Sequence, residues 1–380
     1  MEGPSTTYYR GMSALAPCLA LLSTLLAIAP ASATTPSPSS PVLPLTSQEI
    51  AEALLPTTFE AHQTRHWTIL SDARPDTVNH VGEQLEAAMH QFSRLCRMLG
   101  AARPMPQERM LCIVFSDAED FRDFAKHGDE YEIDPAVFGG YFSPRTEWIL
   151  FYDPKGTPEV EQARDALDKH EDALETVRSQ TPPPHEDPRS RARREHALQQ
   201  QSEQIEEARQ HIAEFERGQQ VSLTVHEAFH QLSWITEFAD HRGGWGLWLH
   251  EGFATCFETD DTSRAFGPAH ESPNRRKMFK QVMLEGRLLP LRELLGIRSL
   301  KDMQPDEITA FYAQSYATVR WLWRFHRTRL NGYIRSLREQ PDYVFPRDDA
   351  TAFEAAFGPI EKLERRWLRD EMDGWATNGD

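Results

Sequence analysis

The chain has 380 residues, 39 % hydrophobic and 26 % charged, a composition that suits one or two globular domains. Its formal net charge is −17. A balance this acidic excludes a nucleic-acid surface, which needs a positive stripe, and says more about solubility than about fold.

At the start, Arg10 precedes an apolar stretch from Leu19 to Ala29 that breaks at Pro30 and ends in Ala31-Ser32-Ala33. This is the layout of a secretory signal peptide over residues 1–33, cleaved near Ala33, with the product exported to the periplasm or beyond the cell. The stretch is too short to span a bilayer, and no other segment approaches eighteen apolar residues, so no membrane span is expected. Pro17 stands where a small residue is wanted before Cys18, which argues against a lipid anchor there. Three cysteines follow the leader: Cys96, Cys112 and Cys256. An odd count leaves at least one free thiol, and Cys256 is expected to be buried and inert.

Residues 34–47 form a Pro/Ser-rich linker that cannot build a core. An N-terminal α/β part is expected over 48–156. His66 to Leu70 reads as a strand, and Val78 to Leu99 as a helix with Val81, Leu85, Ala88, Phe92 and Leu95 on one face. Met110 to Phe115 is an apolar strand and Asp117 to His127 a short helix. Phe138–Phe142 and Trp148–Tyr152 bracket a turn at 143–147 and read as a hairpin. Gly139 and Gly140 there either permit close approach of another backbone or form a bulge.

Residues 157–219 read as an inserted helical hairpin. Val160, Leu167 and Leu174 recur every seven, as do Leu198, Ile205 and Ile212, and the Pro-rich run at 181–188 forces a turn. One apolar row per helix suffices to pair the two. A solvated arm is the expected role, with a protein partner as the alternative. The part from 220 to 380 is helical, with a central apolar helix from Phe311 to Phe325 and a last amphipathic helix from Ala352 to Met372.

The chemistry lies at the start of that last part. His226-Glu227-Ala228-Phe229-His230 places two histidines one turn apart, so both imidazoles can reach one metal ion. Glu227 is about 100° further round, beside the ion, where a carboxylate can take a proton from the attacking water. Two histidines leave a catalytic zinc one ligand short, and Glu251, in Trp248-Leu249-His250-Glu251-Gly252-Phe253-Ala254, is placed to complete it. Glu258, seven residues on, returns to the same helix face and can support a ligand. A surface helix carrying the pentad by accident would not need the apolar residues Val221, Leu223, Val225, Phe229, Leu232 and Ile235 around it.

His-Glu-x-x-His, some twenty residues, then Trp-Leu-x-Glu-Gly-Phe-Ala resembles the gluzincin metallopeptidases, including the aminopeptidase-N group. The whole run is similar to an uncharacterised family of secreted bacterial proteins with a gluzincin-like domain, whose Phe-Tyr-Ala-Gln-Ser-Tyr-Ala-like and Phe-Gly-like segments correspond to Phe311–Ala317 and Phe357-Gly358. The resemblance covers roughly residues 66–153 and 220–370. It implies an α+β fold: an N-terminal α/β part with an edge strand, an active-site helix and a C-terminal helical part. It implies zinc on His226, His230 and Glu251, Glu227 as general base, and a tyrosine to steady the oxyanion. Tyr312 matches that last place, with Ser315 where the family has glycine, and Tyr316 is the alternative. A Gly-x-Met-Glu-Asn segment, by which aminopeptidases of this type bind a free amine, is absent. The expectation is an exported, endopeptidase-like zinc metallopeptidase acting on polypeptides. The alternative is a secreted binding or scaffold protein that keeps the metal without turnover.

Overall fold

The computed structural model describes residues 46–376, except for 101–103, 105, 131–138, 154–157, 181–186, 240–244, 302 and 339–348. The leader, its cleavage site, nearly all of the linker and the Pro-rich turn of the hairpin lie outside the described residues.

Two segments precede the first expected strand. Helix α1 (Ser47–Leu54) starts at a capping box in which Thr46 and Glu49 satisfy each other's backbone N–H groups. Strand β1 (Glu60–Gln63) follows and pairs antiparallel with β2 (Trp67–Ser71). Helix α2 (Pro75–Met98) then carries the chain to β3 (Met110–Phe115), parallel to β2. After α3 (Ala118–His127), the hairpin forms β4 (Gly140–Ser143) and β5 (Trp148–Tyr152). The sheet runs β1-β2-β3-β5-β4, so a parallel centre is flanked by two antiparallel edges.

Strand alternation sends side chains to two cores. Leu111, Ile113, Phe115, Leu150 and Tyr152 face α1 and α3. Trp67, Ile69, Cys112, Val114, Ile149 and Phe151 face α2 and the helix that carries the histidines. Gly140 is explained within the sheet. A Cβ there would come within 2.5 Å of the Phe151 Cβ and 2.7 Å of the Leu150 carbonyl oxygen, so glycine lets β4 close against β5.

Helix α4 (Pro158–Ser179) returns against α5 (Pro188–Ile235), and Leu167, Leu174 and Ile205 are buried between them. The pairing uses the expected rows. The expected boundary at 219/220, however, falls inside α5, which runs for 48 residues from the arm through His230. Gly218 lies within it, and the roughly 1 kcal/mol that a mid-helix glycine costs is too little to break so long a helix.

The helical half comprises α6 (Leu247–Phe257), α7 (Pro273–Leu284), α8 (Leu291–Gly296), α9 (Pro305–Arg338), α10 (Asp349–Phe357) and α11 (Ile360–Ala376). The single helix expected over 352–372 is two. Gly358 has φ +92° and Pro359 follows, so the first helix ends on a left-handed glycine and proline prevents its continuation. The fold is α+β, with one core running from the sheet across α5 to α9. No helix among the described residues is long and apolar enough to cross a membrane.

Gln231 ties the halves together. Fully buried, it accepts from Trp67 Nε1 at 2.7 Å and donates to the carbonyls of Leu111 at 2.9 Å and Glu147 at 2.7 Å. Trp234 Nε1 also donates to the Glu147 carboxylate at 3.3 Å, so α5 holds the β4–β5 turn at two points. Gln231→Leu should strand three buried polar groups and lower stability by about 3 kcal/mol. Urea unfolding of the variant beside the parent checks this, and an unchanged midpoint would contradict it.

Candidate metal centre

Aromatic packing sets how α5 and α6 meet. The Phe229 ring stacks on Phe253, with centroids 5.9 Å apart and planes at 11°, and tilts against Phe257 at 4.9 Å. Phe229 lies between the two histidines, so this contact turns His226 and His230 toward α6. Gly252 completes the arrangement from the far side. A Cβ on it would lie 2.5 Å from Val319 Cγ2 and 2.7 Å from the Ser315 carbonyl oxygen of α9. Glycine after Glu251 therefore lets α9 press α6 into place.

His226, His230 and Glu251 come together, all buried. The two Nε2 atoms are 3.1 Å apart, His226 Nε2 is 3.3 Å from Glu251 Oε2, and His230 Nε2 is 3.6 Å from Glu251 Oε1. Ligands about 2.0–2.1 Å from a tetrahedral zinc would stand roughly 3.3–3.4 Å from one another. The three edges bracket that value. Neither Glu251 oxygen has a hydrogen bond of good geometry, although the side chain is completely buried. A buried carboxylate with no donor needs a cation. The donor set and its spacing fit a divalent metal ion.

The surroundings orient the ligands. Glu258 accepts from His226 Nδ1 at 2.9 Å, which leaves Nε2 free to face the cluster. Arg275 of α7 donates to both Glu258 oxygens through Nε and Nη2. Burial opposes ionisation of Glu258, and the Arg275 guanidinium overcomes it, holding the carboxyl below its usual range. Burial likewise opposes charge on His226, yet Glu251 and Glu258 raise its pKa to about 10 without an ion. Glu251 is held near 2 by the two histidines against the burial cost. His250 lies with its ring centroid 6.3 Å from His230 and 5.1 Å from Trp245, and burial lowers its pKa to about 3. It is outside the ligand set.

Glu227 is fully buried beside the cluster. Burial raises its pKa, while the imidazoles and the Phe142 backbone N–H of β4 act the other way. The sheet edge and the candidate base are thus in direct contact. Tyr312 is buried one turn before Ser315 on α9, within electrostatic reach of Arg275. The Tyr316 hydroxyl is already engaged: it accepts from the Ser272 N–H at 3.0 Å and donates to the Ser272 carbonyl at 3.4 Å.

The structure brings together His226, His230 and Glu251, which the sequence singled out, with Glu227 and Glu258 beside them. Sequence reasoning missed Arg275, Gln231 and the Phe142 N–H. Gln231 carried a signal, a polar residue in an apolar run directly after His230. Arg275 carried none, being one of many arginines in a polar helix.

The three cysteines are free and buried, and burial pushes the Cys112 and Cys256 thiols up. A family model described as a protein of unknown function, DUF1570, matches residues 220–342, the segment holding the ligands, Glu227 and both tyrosines. No curated protein and no solved structure matches the chain.

Two variants test the cluster by metal analysis. Glu251→Ala, loaded with a divalent metal such as zinc beside the parent, should retain far less of it after dialysis. Glu258→Gln, which keeps the ligands but weakens their orientation, should bind zinc about 10–100-fold more weakly in a chelator competition. Full retention by Glu251→Ala would remove that residue from the ligand set.

Proposed function

We propose that the protein is an exported zinc-dependent metallopeptidase of gluzincin type, with an endopeptidase-like action on polypeptides. The observation that carries this reading is the buried His226–His230–Glu251 triangle with a second carboxylate, Glu227, beside it and against a sheet edge. Structural zinc sites take four protein ligands, whereas catalytic sites take three and keep a place for the reacting molecule. Three are gathered here.

Zinc on these residues would supply a Lewis acid that polarises the scissile carbonyl and acidifies the attacking water. Glu227 takes the proton as the oxygen–carbon bond forms. It returns that proton to the amide nitrogen as the carbon–nitrogen bond breaks, so the amine leaves neutral. Its burial favours this exchange, because a carboxylate with a raised pKa holds a proton more readily than a solvated one. Tyr312 is assigned to the developing oxyanion, since the Tyr316 hydroxyl is committed to Ser272. Strand β4 is the outer strand of the sheet and supplies the edge against which an extended peptide would lie. The lack of a Gly-x-Met-Glu-Asn segment favours internal cleavage over removal of N-terminal residues. Export rests on the Arg10-to-Ala33 layout.

A second reading, a secreted metal-holding protein without turnover, draws support from burial. His226, Glu227, His230 and Glu251 are each at most 2 % exposed. One substitution separates the two. Glu227→Gln should bind zinc with the parent's stoichiometry and lose casein hydrolysis by at least about a hundredfold. Equal activity in the two proteins would reject Glu227 as base. A parent that releases no new termini, with zinc bound and chelator as the control, would favour the second reading.

A further inference from the structure

Arginine is concentrated where α9 breaks. His326 has φ −134° and ψ 25°, and the helix kinks there. Arg320 and Arg324 stand four residues apart on one helix face before the kink, and Arg327 follows directly after it. Arg329 is nine residues past Arg320, which on a straight helix would place it about 180° away. All four nevertheless line one cavity of about 840 Å³, together with Arg366 of α11. The kink brings Arg329 round to the others.

Among the described residues, five guanidinium groups and no carboxylate line this cavity, in a chain whose acids outnumber its bases by 58 to 41. At its margin Arg320 meets Glu271 at 3.5 Å and Arg366 meets Asp370 at 3.7 Å. Among the described residues Arg324, Arg327 and Arg329 have no carboxylate partner. Arg324 lies over the Phe325 ring at 5.1 Å, Arg327 over Trp323 at 5.8 Å, and Arg329 donates to the Phe357 carbonyl at 3.4 Å. The His326 ring, also on the cavity wall, packs on Trp321 at 4.7 Å and leaves Nε2 buried without a hydrogen-bond partner. Solvated arginines at a helix end would account for their exposure. They would not account for five around one concavity, with Glu271, Asp370, Glu371 and Asp373 gathered in the adjoining one that shares Arg320, Arg324 and Arg366.

We propose that this cavity binds a sugar-sized ring compound carrying two or more phosphate or sulfate esters. Guanidinium forks match tetrahedral oxyanions through paired N–H donors, and several forks favour a ligand with several such groups. The volume lies within the range of sites for whole organic ligands, far above what a single phosphate fills. Phe325, 46 % exposed, offers an apolar wall for the ring. The assignment stands apart from the metal cluster and from the reading of it as a peptidase centre.

Calorimetry on the full chain tests it, with inositol hexakisphosphate and inositol hexasulfate as the two ester probes. Inorganic phosphate, sucrose and oligoglutamate serve as comparisons. At least one ester probe should bind at one per chain, more tightly than inorganic phosphate and more weakly as salt rises, and the tighter of the two identifies the ester. The double variant Arg324→Gln, Arg327→Gln should weaken that binding by about tenfold or more. Glu227→Gln should bind the probe as the parent does. Absence of binding to both esters, unchanged affinity in the double variant, or equal affinity for oligoglutamate would overturn the proposal.

Discussion

Two imidazoles and a carboxylate, from two different helices, are held around one buried point. That constraint organises the molecule around it. Unpaired polar groups in such a place are costly, so every neighbouring element must either neutralise, orient or enclose them. Phe229 sets the meeting of α5 with α6. Gly252 removes the one side chain that would hold α9 away. Arg275 and Glu258 extend the polar set outward from His226 by one hydrogen bond and one bidentate ion pair. The apolar contacts supply the stability, and the polar ones decide which atoms face each other.

The helix that carries the histidines serves two structural roles. Its N-terminal half is one side of the arm, and its C-terminal half lies in the main core between the sheet and α6. Gln231 and Trp234 then fasten the β4–β5 turn to the last two turns of the same helix. The candidate base, two ligands and the anchor of the edge strand therefore share one rigid element. A peptide laid along β4 would take its position from the helix that bears Glu227, without a loop between them.

Much of this was legible in the residues, for reasons that differ by element. The central strands and α2 show strong periodicity because they face a core, and they occur where the pattern places them. Strand β1 does not: Glu60, Ala61, His62 and Gln63 lie mostly exposed at a sheet edge, so no apolar alternation marks them. The Thr46–Glu49 capping box was a readable signal for α1. So was Gly358-Pro359 for the break between α10 and α11. The 219/220 bound drawn between the arm and the catalytic part falls within one continuous helix, because helical periodicity continues through Gly218 into the buried run from Val221. In the site, the pairing of His226 with His230 follows from helical spacing, whereas Glu251, on another helix, was expected from the need for a third ligand and from the resemblance. Arg275 depends on where α7 lands after an irregular stretch, which no local pattern encodes.

Charge counting within the cluster points to the valence of the ion it would hold. Glu227, Glu251 and Glu258 are buried carboxylates, and Arg275 offsets one of them. With both histidines neutral, as ligation requires, and with Glu227 ionised as the base must be, the buried set carries two uncompensated negative charges. A proton on His226 relieves one, which is why its pKa climbs so far in the ion-free chain. A monovalent cation would do no better than that proton. A divalent cation displaces the proton, brings the set to neutrality and occupies the gap between the two Nε2 atoms, which as neutral acceptors would otherwise face each other at 3.1 Å. The count of charges and the spacing of the donor atoms both fit a divalent ion.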